Sequence, residues 1–294
     1  MPNIAFIGLG AMGVPIASNI ASAGNKLSVF DISEAACSKL AALGARVGAD
    51  AADAARGCDY AITMLPTSVE VRDALLGPNG ACAGLNAGAM VIDMTTGSVD
   101  DFFKLKLDLQ KLGFRLVDSP VGRGSEEAAA RKILFMSGGS DEEIAEIRPL
   151  LAPLCEELIH CGPAGNGLKT KIINNYLATV SVVATAEALA LAHAAGLDRN
   201  FLTTLWTRTV AGRGALATVY PQKAFAGDFT PGFSARLARK DLKLALEFSE
   251  QYGIPLSTGA AARQVFSLQQ AQGRLDEDWT AILDVLTNLA EKPA

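Results

Sequence analysis

The sequence predicts an α/β fold, with a doubly wound, parallel-rich sheet over residues 1–163 followed by an all-helical domain over 164–294. Three observations predict it. Short apolar runs alternate with amphipathic stretches as far as about Cys161, glycine clusters close several of those runs, and beyond Gly162-Pro163 strand-like runs give way to long helical segments. At roughly 150 residues per domain, 294 residues suit two domains, and a 50% hydrophobic composition supplies a core without disulfide or metal staples.

Strands are expected at residues 4–7, 26–30, 60–64, 90–94, 114–117, 133–136 and 157–160. Each is short and apolar, as strands buried on both faces are. Glycines at 8, 57, 77–80, 84–88 and 138–139 mark the turns between elements. A first helix is expected at 12–23, and later ones at 167–195, 199–210, 233–251, 259–272 and 279–291. The segment 167–195 would be roughly 40 Å long. Its stretch 177–195 is so rich in Ala, Val and Leu that it should be buried nearly all round, inside a helical domain or against another subunit. A homodimer or homotetramer is expected on that ground.

Charge and composition exclude several classes. Lys and Arg number 26 against 31 Asp and Glu, a net charge of −5, so no basic excess is available for nucleic acid. Apolar residues look too often interrupted for an 18-residue membrane span, and no membrane partner is expected. The amino terminus opens directly on a strand-like run rather than a signal peptide. Five cysteines without a CxxC pair read as buried free thiols, which fits a cytoplasmic protein. Only His160 and His193 are present, neither in a ligand-spaced cluster, so no metal is expected.

Gly8-Leu9-Gly10-Ala11-Met12-Gly13 comes directly after the first strand and opens the first helix. In such a turn the first glycine permits the tight bend, the second lets backbone approach a pyrophosphate, and the third lets helix and strand pack closely. Asp31 ends the second strand 18 residues after Gly13, close to the spacing of the carboxylate that binds a ribose 2′-hydroxyl. This is the Rossmann fingerprint in its required context. A carboxylate at 31, followed by Ile32-Ser33-Glu34 with no arginine, would repel a 2′-phosphate, so NAD (NADH) is expected over NADPH.

A second cluster lies at 165–175. Helical spacing puts Lys171 on one face with Asn174 and Asn175, while Ile172 and Ile173 are expected to bury the other side. An ammonium there can hydrogen-bond a substrate oxygen and donate its proton as negative charge develops.

Together with Met64-Leu65-Pro66, Asp93-Met94-Thr95-Thr96, Asp118-Ser119-Pro120-Val121 and Lys240-Asp241-Leu242, these segments resemble the β-hydroxyacid dehydrogenases over essentially the whole chain. The resemblance implies a Rossmann domain followed by a helical domain, an NAD-dependent oxidoreductase acting on CH–OH groups, and a small anionic aldehyde or hydroxy acid as substrate. It also implies roles: Lys171 as catalytic acid/base, Asn175 orienting substrate, Leu65 and Thr96 contacting cofactor, and Lys240 near the nicotinamide and substrate.

One segment departs from the family pattern. Most members place Ser-Gly-Gly after the Asp118 to Val121 run; here Gly122-Arg123-Gly124-Ser125 stands instead. Arg123 reads either as a surface arginine in a patch with Glu126, Glu127 and Arg131, or as a forked donor for the substrate's anionic end. With the doubled asparagine, the segment resembles the branch of the family that reduces 3-sulfolactaldehyde to 2,3-dihydroxypropane-1-sulfonate during sulfoquinovose degradation. That resemblance implies substrate binding by Arg123, Gly124, Ser125, Asn174 and Asn175. The alternatives are a 4-hydroxybutyrate or 3-hydroxyisobutyrate type dehydrogenase and, from another class, a non-catalytic nucleotide-binding scaffold.

Overall fold

The computed structural model describes residues 2–290, in two compact units, Met1–Asn175 and Tyr176–Ala294. In the first unit, β1 (Asn3–Ile7), β2 (Lys26–Phe30), β3 (Arg46–Val47), β4 (Tyr60–Thr63), β5 (Met90–Asp93) and β6 (Arg115–Asp118) form one sheet in the order β3-β2-β1-β4-β5-β6. All five pairings are parallel. Strand order reverses between β1 and β4, and the crevice beyond the strand ends at such a switch is where a dinucleotide lies.

Helices α1 (Gly13–Ser22), α2 (Glu34–Ala41), α3 (Ala51–Ala54), α4 (Ser68–Leu76) and α5 (Val99–Lys111) connect these strands. They give the sheet two apolar layers. One includes Ile4, Phe6, Ile16, Ile20, Ile62 and Ile92, and the other Ala5, Ile7, Ala61, Val91, Phe102 and Leu116. Alternate residues of β1, β4 and β5 thus serve opposite faces, the period-2 geometry of a strand covered on both sides.

The expectation of a single sheet needs correction. Pro120, two residues past β6, has no N–H to donate to a continuing ladder. Beyond it the chain forms a separate three-stranded sheet, in which β7 (Val121–Gly122) pairs antiparallel with β8 (Ile133–Ser137), and β8 pairs parallel with β9 (Cys155–His160). Helices α6 (Ser125–Ala129) and α7 (Asp141–Leu151) lie between these strands in the sequence.

The first unit ends within α8 (Asn166–Ala194). The second unit continues with α9 (Arg199–Trp206), two short helices α10 (Val210–Arg213) and α11 (Ala215–Thr218), α12 (Ala235–Glu250), α13 (Ser257–Ala271) and α14 (Ile282–Ala290). The helix expected at 199–210 stops at Trp206, and Glu291 of the one expected at 279–291 lies outside the described residues. Asp278, only 1% exposed, organises this unit: its carboxylate accepts from the N–H groups of Gly232, Phe233 and Thr280 and from the Thr280 hydroxyl.

One expectation about α8 narrows and another fails. Its distal part is not enclosed by the rest of the described chain, since Tyr176, Leu177, Val182 and Val183 are exposed, which leaves cover by another subunit as the remaining alternative. Against expectation, α8 is long and apolar enough to cross a membrane by length and composition alone, because the residues that interrupt its apolar runs are mostly Ala, Ser and Thr rather than charges. The cysteines are all free, but only Cys37 and Cys58 are buried; Cys82, Cys155 and Cys161 are half-buried.

Candidate active site

The glycine turn has the three divided roles that its spacing predicts. Gly8 has φ +97°, and a Cβ there would lie 2.2 Å from the Met64 carbonyl oxygen. A Cβ on Gly13 would lie 2.0 Å from the Gly8 carbonyl oxygen. These two glycines are therefore required by the protein itself. A Cβ on Gly10 would meet nothing within 4 Å, so this glycine leaves an open cradle on the outside of the turn, as approach by a pyrophosphate requires.

Helix α1 begins at that cradle with Met12 as its cap residue, without a capping side chain or an acidic residue in its first turn. Ser33, Thr67, Ser98 and Ser140 cap α2, α4, α5 and α7. In α1 the Val14 N–H donates to the Gly10 carbonyl at 3.1 Å and Pro15 has no N–H, so the Gly13 N–H at the very start of the helix is the one left facing an anion without competition from a capping side chain. Leu9 is buried, whereas Gly10 and Ala11 are exposed.

Asp31 stands one residue past β2 and ties the turn to the strand. Its carboxylate accepts from the Leu9 N–H at 2.6 Å and the Ser33 N–H at 2.7 Å. Each oxygen retains a lone pair for a ribose hydroxyl. Ile32 beside it is 96% exposed, an apolar surface that no motif in the sequence marks out. The turn, the open cradle, the uncapped helix and the carboxylate together fit a dinucleotide.

Across the switch point, Leu65 lies just beyond β4 and its N–H donates to the Thr95 hydroxyl at 3.0 Å. Thr95 in turn donates its N–H to Asp93 Oδ1, which also accepts from the Thr63 hydroxyl at 2.8 Å. Thr96 is exposed beside this network. Burial pushes the Asp93 carboxyl up to about 6, against the donors of Thr95 and Thr63 and with help from the charge of Asp118.

This shift has a sign that can be tested. Folding favours protonated Asp93, so its contribution is full below the ordinary value of 3.8 and is lost as pH rises through about 6. The difference amounts to about 3 kcal/mol. Asp93→Asn, which cannot ionise, is expected to melt higher than wild type at pH 8, with the gap closing towards pH 4. A constant gap in thermal scans across that range would contradict the assignment.

Lys171, Asn174 and Asn175 lie on α8, five to nine residues after its start. Lys171 is half-buried, and that burial holds its ammonium below the usual lysine range. The Asn174 side-chain amide donates to Asn175 Oδ1 at 3.3 Å. Ile172 and Ile173 do not bury the opposite side, since they are 39% and 68% exposed. The desolvation of Lys171 therefore has another source than the flanking isoleucines.

Arg123 occupies the turn between β7 and α6, with Gly124 and Ser125 exposed after it. Its φ is 73°, a left-handed backbone that favours glycine. The guanidinium forms an ion pair with Glu156 of β9, and the same Nη1 donates to the Lys132 carbonyl. Among the described residues no hydrogen bond or ion pair joins Arg123 to Lys171, Asn174 or Asn175, and none is made by its Nε or Nη2. Glu156 carries no sequence signal for this role, because only the pairing of β7, β8 and β9 brings it near Arg123. Lys240, in the second unit, is exposed and pairs with Asp241 at 2.8 Å.

Comparison with known proteins agrees with the fold and with dinucleotide binding. Residues 3–162 match the NAD-binding domain of 6-phosphogluconate dehydrogenase, and residues 165–286 match the NAD-binding domain of NADP-dependent 3-hydroxyisobutyrate dehydrogenase. The chain is similar to 3-sulfolactaldehyde reductase of Escherichia coli strain K12, with 41% identity over 97% of this chain and 95% of that one. It is also similar to NAD-dependent L-serine dehydrogenase of Pseudomonas aeruginosa, with 35% identity over 96% of this chain and 97% of the relative. A solved structure of 3-hydroxyisobutyrate dehydrogenase from Mycobacterium tuberculosis with L-serine aligns at a TM-score of 0.68, with 33% identity over 97% and 99% of the two chains. A nicotinamide-dinucleotide oxidoreductase acting on hydroxyl groups is what the fold, the turn and these relatives have in common, and the chain belongs to the β-hydroxyacid dehydrogenase family.

Proposed function

We propose that the protein uses NADH to reduce a short aldehyde carrying a terminal anion, with 3-sulfolactaldehyde as substrate and 2,3-dihydroxypropane-1-sulfonate as product. The observation that carries this reading is Arg123. A backbone position that favours glycine holds a guanidinium instead, at a cost of about 1 kcal/mol or more, while Nε and Nη2 remain without partners among the described residues. The likeness to the E. coli reductase supports it.

The Gly8–Gly13 turn and Asp31 would hold NADH, which when bound would supply the hydride that the carbonyl carbon gains. Lys171 donates a proton to the carbonyl oxygen as that oxygen gains charge, giving the alcohol, and is reprotonated from water. In the oxidative direction the neutral amine takes the hydroxyl proton, and half-burial favours that neutral form. The carboxamide of Asn175 orients the reacting oxygen, and Arg123, Gly124, Ser125 and Asn174 receive the anionic end. Leu65, Thr96 and Lys240 are assigned to the cofactor side. Asp31, with no arginine nearby in sequence, favours NADH over NADPH.

The second reading is a 3-hydroxy carboxylate, since one relative is named for L-serine and a related structure contains it; 4-hydroxybutyrate belongs to the same class. A carboxylate also satisfies a guanidinium. We further propose that a second copy of the chain covers the apolar distal part of α8, giving a dimer or a multiple of it, and that the protein is cytoplasmic, a reading its free thiols support.

The test is NAD reduction measured in parallel with dihydroxypropanesulfonate, 4-hydroxybutyrate, 3-hydroxyisobutyrate and L-serine, repeated with NADP. The sulfonate with NAD is expected to give the highest kcat/KM by at least about tenfold, the worth of one good charged hydrogen bond. A carboxylate that equals it would replace the sulfonate reading with the second one.

A further inference from the structure

Asp118, the last residue of β6, is 1% exposed and is not explained by cofactor or substrate binding. Its Oδ1 accepts from the Gly165 N–H at 2.6 Å and its Oδ2 from the Leu168 N–H at 2.7 Å. Those amides flank the start of α8, where the first helical N–H groups have no partner within the helix. The carboxylate reaches them from 47 and 50 residues away in sequence.

The surroundings are built around this contact. The Asp118 N–H and C=O exchange hydrogen bonds with Gly138, at the end of β8, at 3.3 and 2.8 Å. A Cβ on Gly138 would lie 2.6 Å from Asp118 Oδ1, and one on Gly167 would lie 2.9 Å from Oδ2 and 2.1 Å from the Met136 carbonyl oxygen. Both glycines are needed for the three elements to approach. Ser119, next in the chain, donates its N–H to the Asp93 carbonyl at 2.7 Å. The sheet that bears the glycine turn is thereby joined to the first turn of the helix that bears Lys171, which lies three residues beyond Leu168, directly along the same helical face.

We infer that Asp118 is a positioning residue that fixes the height and rotation of α8 and so aims the Lys171 amine. This rests on the proposed role of Lys171 as proton donor. A carboxylate suits the task because both oxygens accept. An asparagine of the same size has one acceptor and one NH2, and would set N–H against N–H at either Gly165 or Leu168.

The experiment is a double-mutant cycle on the full chain with NADH binding measured alongside. Asp118→Asn is expected to lower kcat about 10- to 100-fold, the scale of a misplaced catalytic group, with the dissociation constant for NADH within about threefold of wild type. In a Lys171→Ala background the same change should cost less than about twofold, because the group it aims is gone. A kcat within twofold of wild type, or an undiminished loss in the Lys171→Ala background, would overturn the inference. Should the asparagine variant fail to bind NADH, amide exchange on the wild-type protein decides. The Leu168 N–H is expected to exchange at least about 100-fold more slowly than an uncapped helix-start amide, and free exchange would overturn the inference too. Full turnover of Lys171→Ala alone would instead remove the proton-donor reading, so the two failures are separable.

Discussion

Lys171→Ala is expected to lower kcat for aldehyde reduction by about three orders of magnitude, within the 10²- to 10⁴-fold range of general acid catalysis. The glycine turn assigned above to the cofactor is built from β1, α1 and β2, with no atom of Lys171, so NADH affinity should stay within about twofold. Lys171→Arg should not restore activity, because a guanidinium stays charged and cannot cycle its proton. The wild-type pH profile adds a sign. Burial holds the ammonium below the usual lysine range, so reduction, which needs the protonated amine, should fall as pH rises through that lowered value. Oxidation, which needs the neutral amine, should rise over the same interval. Steady-state rates in both directions measure this, and a variant with wild-type kcat would remove Lys171 from the mechanism.

Arg123→Gln is expected to raise KM for the sulfonated substrate roughly 10- to 150-fold, the equivalent of the 1.5–3 kcal/mol of a charged hydrogen bond. An uncharged aldehyde of similar size should be affected less than about twofold. Because Nη1 is engaged by Glu156, the anion must be received by the remaining edge of the guanidinium or must compete with that carboxylate. Equal loss for charged and neutral aldehydes would show that Arg123 supports the turn and does not bind the anion.

The glycine turn and its carboxylate partner were legible because their determinants are local. Gly8, Gly10 and Gly13 sit within six residues, and Asp31 closes the next strand, so one βαβ unit holds the whole signal. Strand β2 falls on its expected residues for the same reason: an apolar run bounded by polar turns. Strands β3 and β7 have only two residues each and carry no periodicity to read. The split into two sheets depends on pairing between β7, β8 and β9, and pairing is a non-local property that composition does not encode. The same limit explains the other misses. The Asp118 contacts, the Asp93 network and the Glu156 ion pair each span between 30 and 50 residues for their long-range bonds. For α8, an apolar run shows that a surface wants cover but does not decide between its own chain and another subunit, the two alternatives that composition leaves open.

On the proposed reading of Arg123 as anion receptor, the left-handed backbone at residue 123 sets stability and selectivity against each other. Glycine there would relax the turn and remove the guanidinium able to discriminate an anion at that spot. A library sorted for heat resistance alone would therefore drift towards glycine and lose its preferred metabolite, whereas sorting for turnover would keep the arginine at the expense of melting temperature. Thermostabilising such an enzyme for use must begin elsewhere in the chain.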